Sequence, residues 1–84
     1  MVRREKFILR LISGTSDNNI NFRQLTGFLV HLGFEERIKG SHHIFYKQDV
    51  EEIINLQAQG NKAKPYQVKQ VRQLLLKYKL LKDE

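Results

Sequence analysis

The chain contains no cysteine among its 84 residues, and proline occurs once, at Pro65. Zero cysteine excludes disulfide staples and thiolate-ligated metal sites, and is compatible with a reducing compartment. No apolar run approaches the roughly 18–20 residues needed to span a bilayer. Met1-Val2-Arg3-Arg4-Glu5 opens a mixed amphipathic segment, without the unbroken hydrophobic stretch of a signal peptide. The expectation is a soluble protein without membrane association, working in the cytoplasm. A chain of 84 residues has room for one domain and buries a modest share of its surface, so a large enclosed active site is not expected and stability is marginal without a partner.

Acidic residues are scarce relative to basic ones, 9 Asp and Glu against 15 Lys and Arg, for a net charge of +6 with neutral histidines. That excess is the electrostatic footprint of a nucleic-acid binder, and it equally suits an acidic protein partner.

Three helices and three strands follow from spacing. Phe7, Ile8, Leu11 and Ile12 recur at helical intervals, so a short helix is expected over Arg3–Ser13, stopped by Gly14. The polar run from Gly14 to Asn19 reads as a turn-rich connection. A second helix starts at Asn21, with Gln24 completing a capping box, Ile20 placed to staple onto Leu25, and Phe22, Leu25, Leu29 and Leu32 as its apolar stripe up to Gly33. Strands are expected over 34–39, 42–47 and 52–57, where β-branched and aromatic residues concentrate. Residues 58–64 read as a flexible polar loop. Pro65 then opens a last helix running to about Tyr78, with Val68, Val71, Leu74, Leu75 and Tyr78 on its inner face and a frayed tail over 79–84.

The most informative stretch is Lys39-Gly40-Ser41-His42-His43-Ile44-Phe45-Tyr46. Histidine is the one side chain whose unperturbed pKa lets it exchange protons near neutral pH. Side chains alternate along a strand, so His42, Ile44 and Tyr46 share one face while His43, Phe45 and Lys47 share the other. Both faces carry apolar groups, and alternation leaves open which histidine looks outward. The run is followed by the apolar strand Glu52-Ile53-Ile54-Asn55-Leu56-Gln57 and then by Lys62-Ala63-Lys64-Pro65 at a helix start.

This order of motifs, over about residues 20–80, resembles the HicA toxin family. The resemblance implies an α+β fold like the double-stranded-RNA-binding domain, in which helix, three-stranded antiparallel sheet and helix occur in the order α-β-β-β-α. The whole chain, 1–84, is then one HicA-like domain, with residues 1–19 as an added N-terminal helix and loop. It also implies a toxin of a toxin–antitoxin pair: a metal-independent endoribonuclease that cleaves mRNA with a single histidine, inhibited by a HicB-like antitoxin. The position directly after Gly-Ser matches His42, with His43 as second choice. Asn55-Leu56-Gln57-Ala58-Gln59 departs from the valine-rich third strand common in the family.

Ribonuclease chemistry needs a group to take the 2′-hydroxyl proton as that oxygen attacks phosphorus, and a proton for the departing 5′-oxygen. Two adjacent histidines on opposite strand faces cannot readily divide these roles. Gly40 and Ser41 are candidates for close approach of a phosphate, and Lys39, Lys47, Lys62 and Lys64 for phosphate contacts. His31, near a helix end, receives no catalytic part. A vicinal His-His pair lacks the three or four convergent ligands of a zinc site, so neither metal nor cofactor is expected. The alternative function is a non-catalytic RNA-binding module of the same fold; a DNA-binding regulator has only charge and helices in its favour.

Overall fold

The computed structural model describes the backbone of residues 2–82 and the side chains of residues 4–82. In chain order it contains α1 (Val2–Ser13), a 3-10 turn (Asp17–Asn19), α2 (Phe22–His31), β1 (Glu35–Lys39), β2 (His42–Lys47), β3 (Val50–Leu56), β4 (Ala58–Gln59), β5 (Lys62–Ala63) and α3 (Pro65–Lys77). This is an α+β domain with the α-β-β-β-α layout of the double-stranded-RNA-binding domain, preceded by one extra helix. Among the described residues no helix is long and apolar enough to cross a membrane.

The helix ends follow local chemistry. Asn21 caps α2, its side-chain oxygen accepting from Gln24 N at 2.9 Å, which satisfies one of the amide groups that a helix start leaves without an intrahelical partner. The far end closes in a Schellman motif: Gly33 N donates to Val30 O and Phe34 N to Leu29 O, both at 3.0 Å. Gly33 takes φ = 103°, a conformation that costs glycine little and L side chains much. Pro65 occupies the first turn of α3 as expected. That helix also ends in a Schellman pattern, with Lys79 N donating to Leu76 O at 3.2 Å and Leu80 N to Leu75 O at 2.9 Å, but its left-handed residue is Lys79, at φ = 54°.

β2 lies at the centre of an antiparallel sheet of order β1-β2-β3. Glu36 is paired with Phe45 and Lys39 with His42 on one side; His43 is paired with Leu56 and Phe45 with Ile54 on the other. Register assigns the faces. Phe45, Ile54 and Leu56 are fully buried, in one cluster with Leu25, Leu29, Val68, Val71 and Leu75 from the helices. Arg37, Lys39, His42, Tyr46, Ile53 and Asn55 are exposed on the opposite face, which no helix covers. Complete burial of a side chain such as Phe45 is worth about 2–3 kcal/mol.

Helix α1 belongs to the same core. Phe7 and Leu11 are buried, and the Phe7 ring meets Phe28 edge-on with centroids 5.6 Å apart. Phe28 lies outside the expected stripe of α2, and it is buried because α1 supplies a second surface for that helix to pack on.

Two expectations are corrected. Residues 58–63 form the β4–β5 hairpin instead of a flexible loop; Ala63 N donates to Ile20 O and Phe22 N to Asn61 O, both at 2.9 Å. The hairpin is thereby tied to Ile20, just before α2, and to Phe22, the first residue of that helix. The segment after α3 is not frayed up to residue 81: Leu80 and Leu81 pack against the core. Residues 83 and 84 of the expected tail lie outside the described residues.

Candidate functional site

The β1–β2 connection is a two-residue turn, Gly40-Ser41, in which Gly40 takes φ = 61° and Ser41 does not enter the positive region. That is the φ pattern of a type II′ hairpin, which matches the twist of the flanking strands. It sets Lys39 directly across from His42 at the open end of the sheet.

His42 is exposed, and its Nδ1 lies 3.1 Å from Asn55 Oδ1 on the neighbouring strand. An amide oxygen can only accept, so Nδ1 donates, and in the neutral ring the lone pair then lies on Nε2. No other group among the described residues engages the ring. This is the tautomer a general base requires, presented to solvent. A polar chain runs beside it: Gln57 Nε2 donates to Ser41 Oγ at 2.9 Å, and Lys64 Nζ donates to Gln57 Oε1 at 3.2 Å. Strand pairing sets Lys39 beside His42, and Asn55 and Gln57 tie His42, Ser41 and Lys64 to the same end of the sheet.

The other expected cations lie elsewhere. Lys47 is five residues further along β2, about 16 Å at the rise of a strand, and its Nζ sits over Gly33 at the opposite end of the sheet. Lys62 donates to Asn19 Oδ1 at 2.6 Å, on the side of the 3-10 turn. Neither is placed with His42. Asn55 and Gln57 carried a signal: two amides at alternating positions interrupt an apolar strand, where burial alone calls for neither.

His43 points to the helix face. Its Nδ1 lies 2.8 Å from Glu36 Oε2, with the side chains 24% and 26% exposed, and its ring meets Phe22 edge-on at 4.9 Å between centroids. It forms part of a groove between the start of α2 and the β4–β5 hairpin. The two histidines therefore serve different surfaces. Among the described residues no three His, Asp or Glu side chains converge on a point where a metal ion would be held.

A pair of charges fastens the far end of the sheet. Glu52 Oε2 accepts from Lys77 Nζ at 2.7 Å and Oε1 from the Tyr78 hydroxyl at 2.6 Å. Lys77 first, and Tyr78 after it, hold the Glu52 carboxyl down at about 2. The same contact raises the Lys77 ammonium above its ordinary value. This contact joins β3 to the end of α3 and is remote from His42.

Comparison with known proteins gives one match. The family model of the HicA toxin of bacterial toxin–antitoxin systems matches residues 22–80, from the first residue of α2 to just beyond α3. No curated protein and no solved structure matches the chain. Helix α1 and the 3-10 turn lie outside the matched segment.

Proposed function

Since this chain belongs to the HicA toxin family of bacterial toxin–antitoxin systems, we propose that it is a metal-independent endoribonuclease that cleaves mRNA in the cytoplasm at His42 and is silenced by a HicB-like antitoxin. One observation carries the chemical part of this reading: His42 stands exposed, with Nδ1 held by Asn55 and Nε2 unpartnered, next to Lys39 and the Ser41 hydroxyl.

In the proposed reaction Nε2 takes the proton of a ribose 2′-hydroxyl while that oxygen attacks the adjacent phosphorus. The O2′–P bond forms and the P–O5′ bond breaks. The departing 5′-oxygen takes a proton from solvent, which reaches the open face, and the imidazolium returns its own proton to water. The products are a 2′,3′-cyclic phosphate and a 5′-hydroxyl. Positioned proton transfer of this type contributes roughly 10²–10⁴-fold. Lys39, and Lys64 through the Gln57–Ser41 link, add positive charge near the developing phosphorane charge. At Gly40 nothing lies within 4 Å of where a Cβ would stand, so the approach to the backbone of the turn is open.

The antitoxin reading follows from charge and access. A basic protein carrying its reactive imidazole on a bare sheet face is blocked simply by an acidic surface laid over that face, and opposite charge speeds the encounter.

The test is cleavage of purified mRNA in the presence of EDTA. The wild-type protein is expected to cut and to leave 2′,3′-cyclic phosphate ends, while His42→Ala keeps its circular dichroism spectrum and loses cleavage. An intact message with the wild-type protein identifies a module that only binds. An undiminished rate in His42→Ala removes the histidine from the mechanism.

A further inference from the structure

The groove on the helix face has no part in the chemistry placed at His42. It has a volume of about 490 Å³ and is lined by Asn21, Phe22, Arg23, Thr26, His43 and Asn61, within the roughly 300–1,000 Å³ range of small-ligand sites. Three of its polar groups are held from one side and keep bonding capacity on the other. Glu36 engages Nδ1 of His43 and leaves Nε2. The Asn21 oxygen caps α2 and leaves the amide N–H donors. The Thr26 hydroxyl donates to Arg23 O at 3.2 Å and keeps its lone pairs. The Arg23 guanidinium and the Asn61 side-chain amide have no partner among the described residues.

We propose that this groove seats one unpaired ribonucleotide of the strand cut at His42, with Arg23 on its phosphate and Asn61, Asn21, Thr26 and His43 on the edge of its base. The proposal rests on the reading above for its ligand class, RNA. A nucleobase has flat apolar faces and a rim of donors and acceptors, and the groove offers the complement: Phe22 and the hairpin as walls, amides, a hydroxyl and an imidazole as readers. Single-stranded RNA can supply such a base because its bases splay out of the stack. The geometry of β2 links the two sites. His42 and His43 are consecutive, so their Cα atoms are about 3.8 Å apart, and they leave opposite sides of the sheet beside its Gly40–Ser41 end. A strand passing over that end engages both within a few nucleotides. Arg23 and Asn61 are then specificity and affinity residues, distinct from the group that moves the proton.

The experiment uses full-length His42→Ala protein, so that binding is read without cleavage, with fluorescein-labelled ten-nucleotide RNAs of each single base and the four ribonucleoside monophosphates as competitors. Arg23→Ala is expected to weaken all four RNAs by about tenfold and to lower the slope of log affinity against log salt by about one. Asn61→Ala is expected to flatten the order of affinity among the bases. In the His42 background it is expected to move the preferred cleavage positions on mRNA. Unchanged affinities, base order and salt slope in both variants overturn the proposal. So does a loss confined to antitoxin binding, which assigns the groove to protein, or displacement of the RNAs by monophosphates that Arg23→Ala and Asn61→Ala weaken while leaving RNA affinity unchanged, which assigns it to free nucleotides. The two readings fail separately: uncut RNA whose binding still depends on Arg23 and Asn61 overturns cleavage alone, and normal cleavage indifferent to both residues overturns the groove alone.

Discussion

Arg72 of α3 grips Asp17 with two parallel hydrogen bonds, Nη1 to Oδ1 at 2.8 Å and Nη2 to Oδ2 at 3.1 Å, while Nη1 also donates to Leu11 O at 3.2 Å. One guanidinium thereby fastens α1 and the turn after it, the part of the chain outside the family match, to a helix inside it. The two side chains are 15% and 21% exposed, and Asp17 raises the Arg72 pKa. Hydrogen bonds to charged groups in such partly buried settings contribute about 1.5–3 kcal/mol. Arg72→Ala is expected to lower unfolding stability by an amount in that range, read from the midpoint of a urea transition. Arg72→Lys should recover little of it, because a lysine cannot form the paired contact.

Stability should fall in acid through Glu52. Its folded-state pKa of about 2 lies below the ordinary value of 4.5, so the unfolded chain binds the proton first. The contribution is therefore complete above the ordinary carboxylate range and is lost as pH drops from about 4.5 towards 2. The difference in melting temperature between wild type and Glu52→Gln is expected to be largest near neutral pH and to vanish across that window. A difference independent of pH would remove Glu52 from the account.

Asn55 is a positioning residue in the proposed mechanism. Asn55→Leu removes the acceptor for Nδ1–H and frees the ring to flip or change tautomer, so kcat for RNA cleavage is expected to fall about tenfold. KM should move little. Asn55→Asp retains an acceptor and should recover most of the rate, with the lower limb of the pH–rate profile displaced, since a carboxylate favours the charged imidazole. A merely structural role would move melting temperature and leave the pH profile in place.

Lys79 is strained where a glycine belongs. At φ = 54° it closes the Schellman motif of α3, and an L side chain in that region costs about 1–2 kcal/mol. Lys79→Gly is expected to stabilise the fold by up to about 1 kcal/mol after the greater freedom of glycine in the unfolded chain is counted. Denaturant unfolding measures it, and a loss of stability would show that the lysine contributes more than its backbone costs.

Local chemistry makes much of the architecture legible in the sequence. Asn21 with Gln24, Pro65 and Gly33 mark helix ends because capping and backbone preference act within a few residues. The span of β2, His42–Lys47, was readable from its composition and the Gly40-Ser41 turn before it. What escaped depended on distant partners. The β4–β5 strands are two residues each, too short to carry a periodic signal, and they persist because Ile20 and Phe22 bond to them across some forty positions of chain. Phe28 joins the core only because α1 folds against it.

The same division runs through the site. The sequence by itself determined that His42 and His43 leave β2 on opposite sides, because side chains of a strand alternate whatever surrounds them. Only tertiary structure decided which side the helices cover: burial of Phe45, Ile54 and Leu56 beneath α2 and α3 turns His43 inward to Glu36 and leaves His42 in the open. Cross-strand register then delivered Asn55 to the exposed ring, while the separate β4–β5 hairpin holds Lys62 against Asn19, away from it. Spacing along a chain fixes direction over a few residues, whereas the company a side chain keeps is set by packing between segments far apart in sequence.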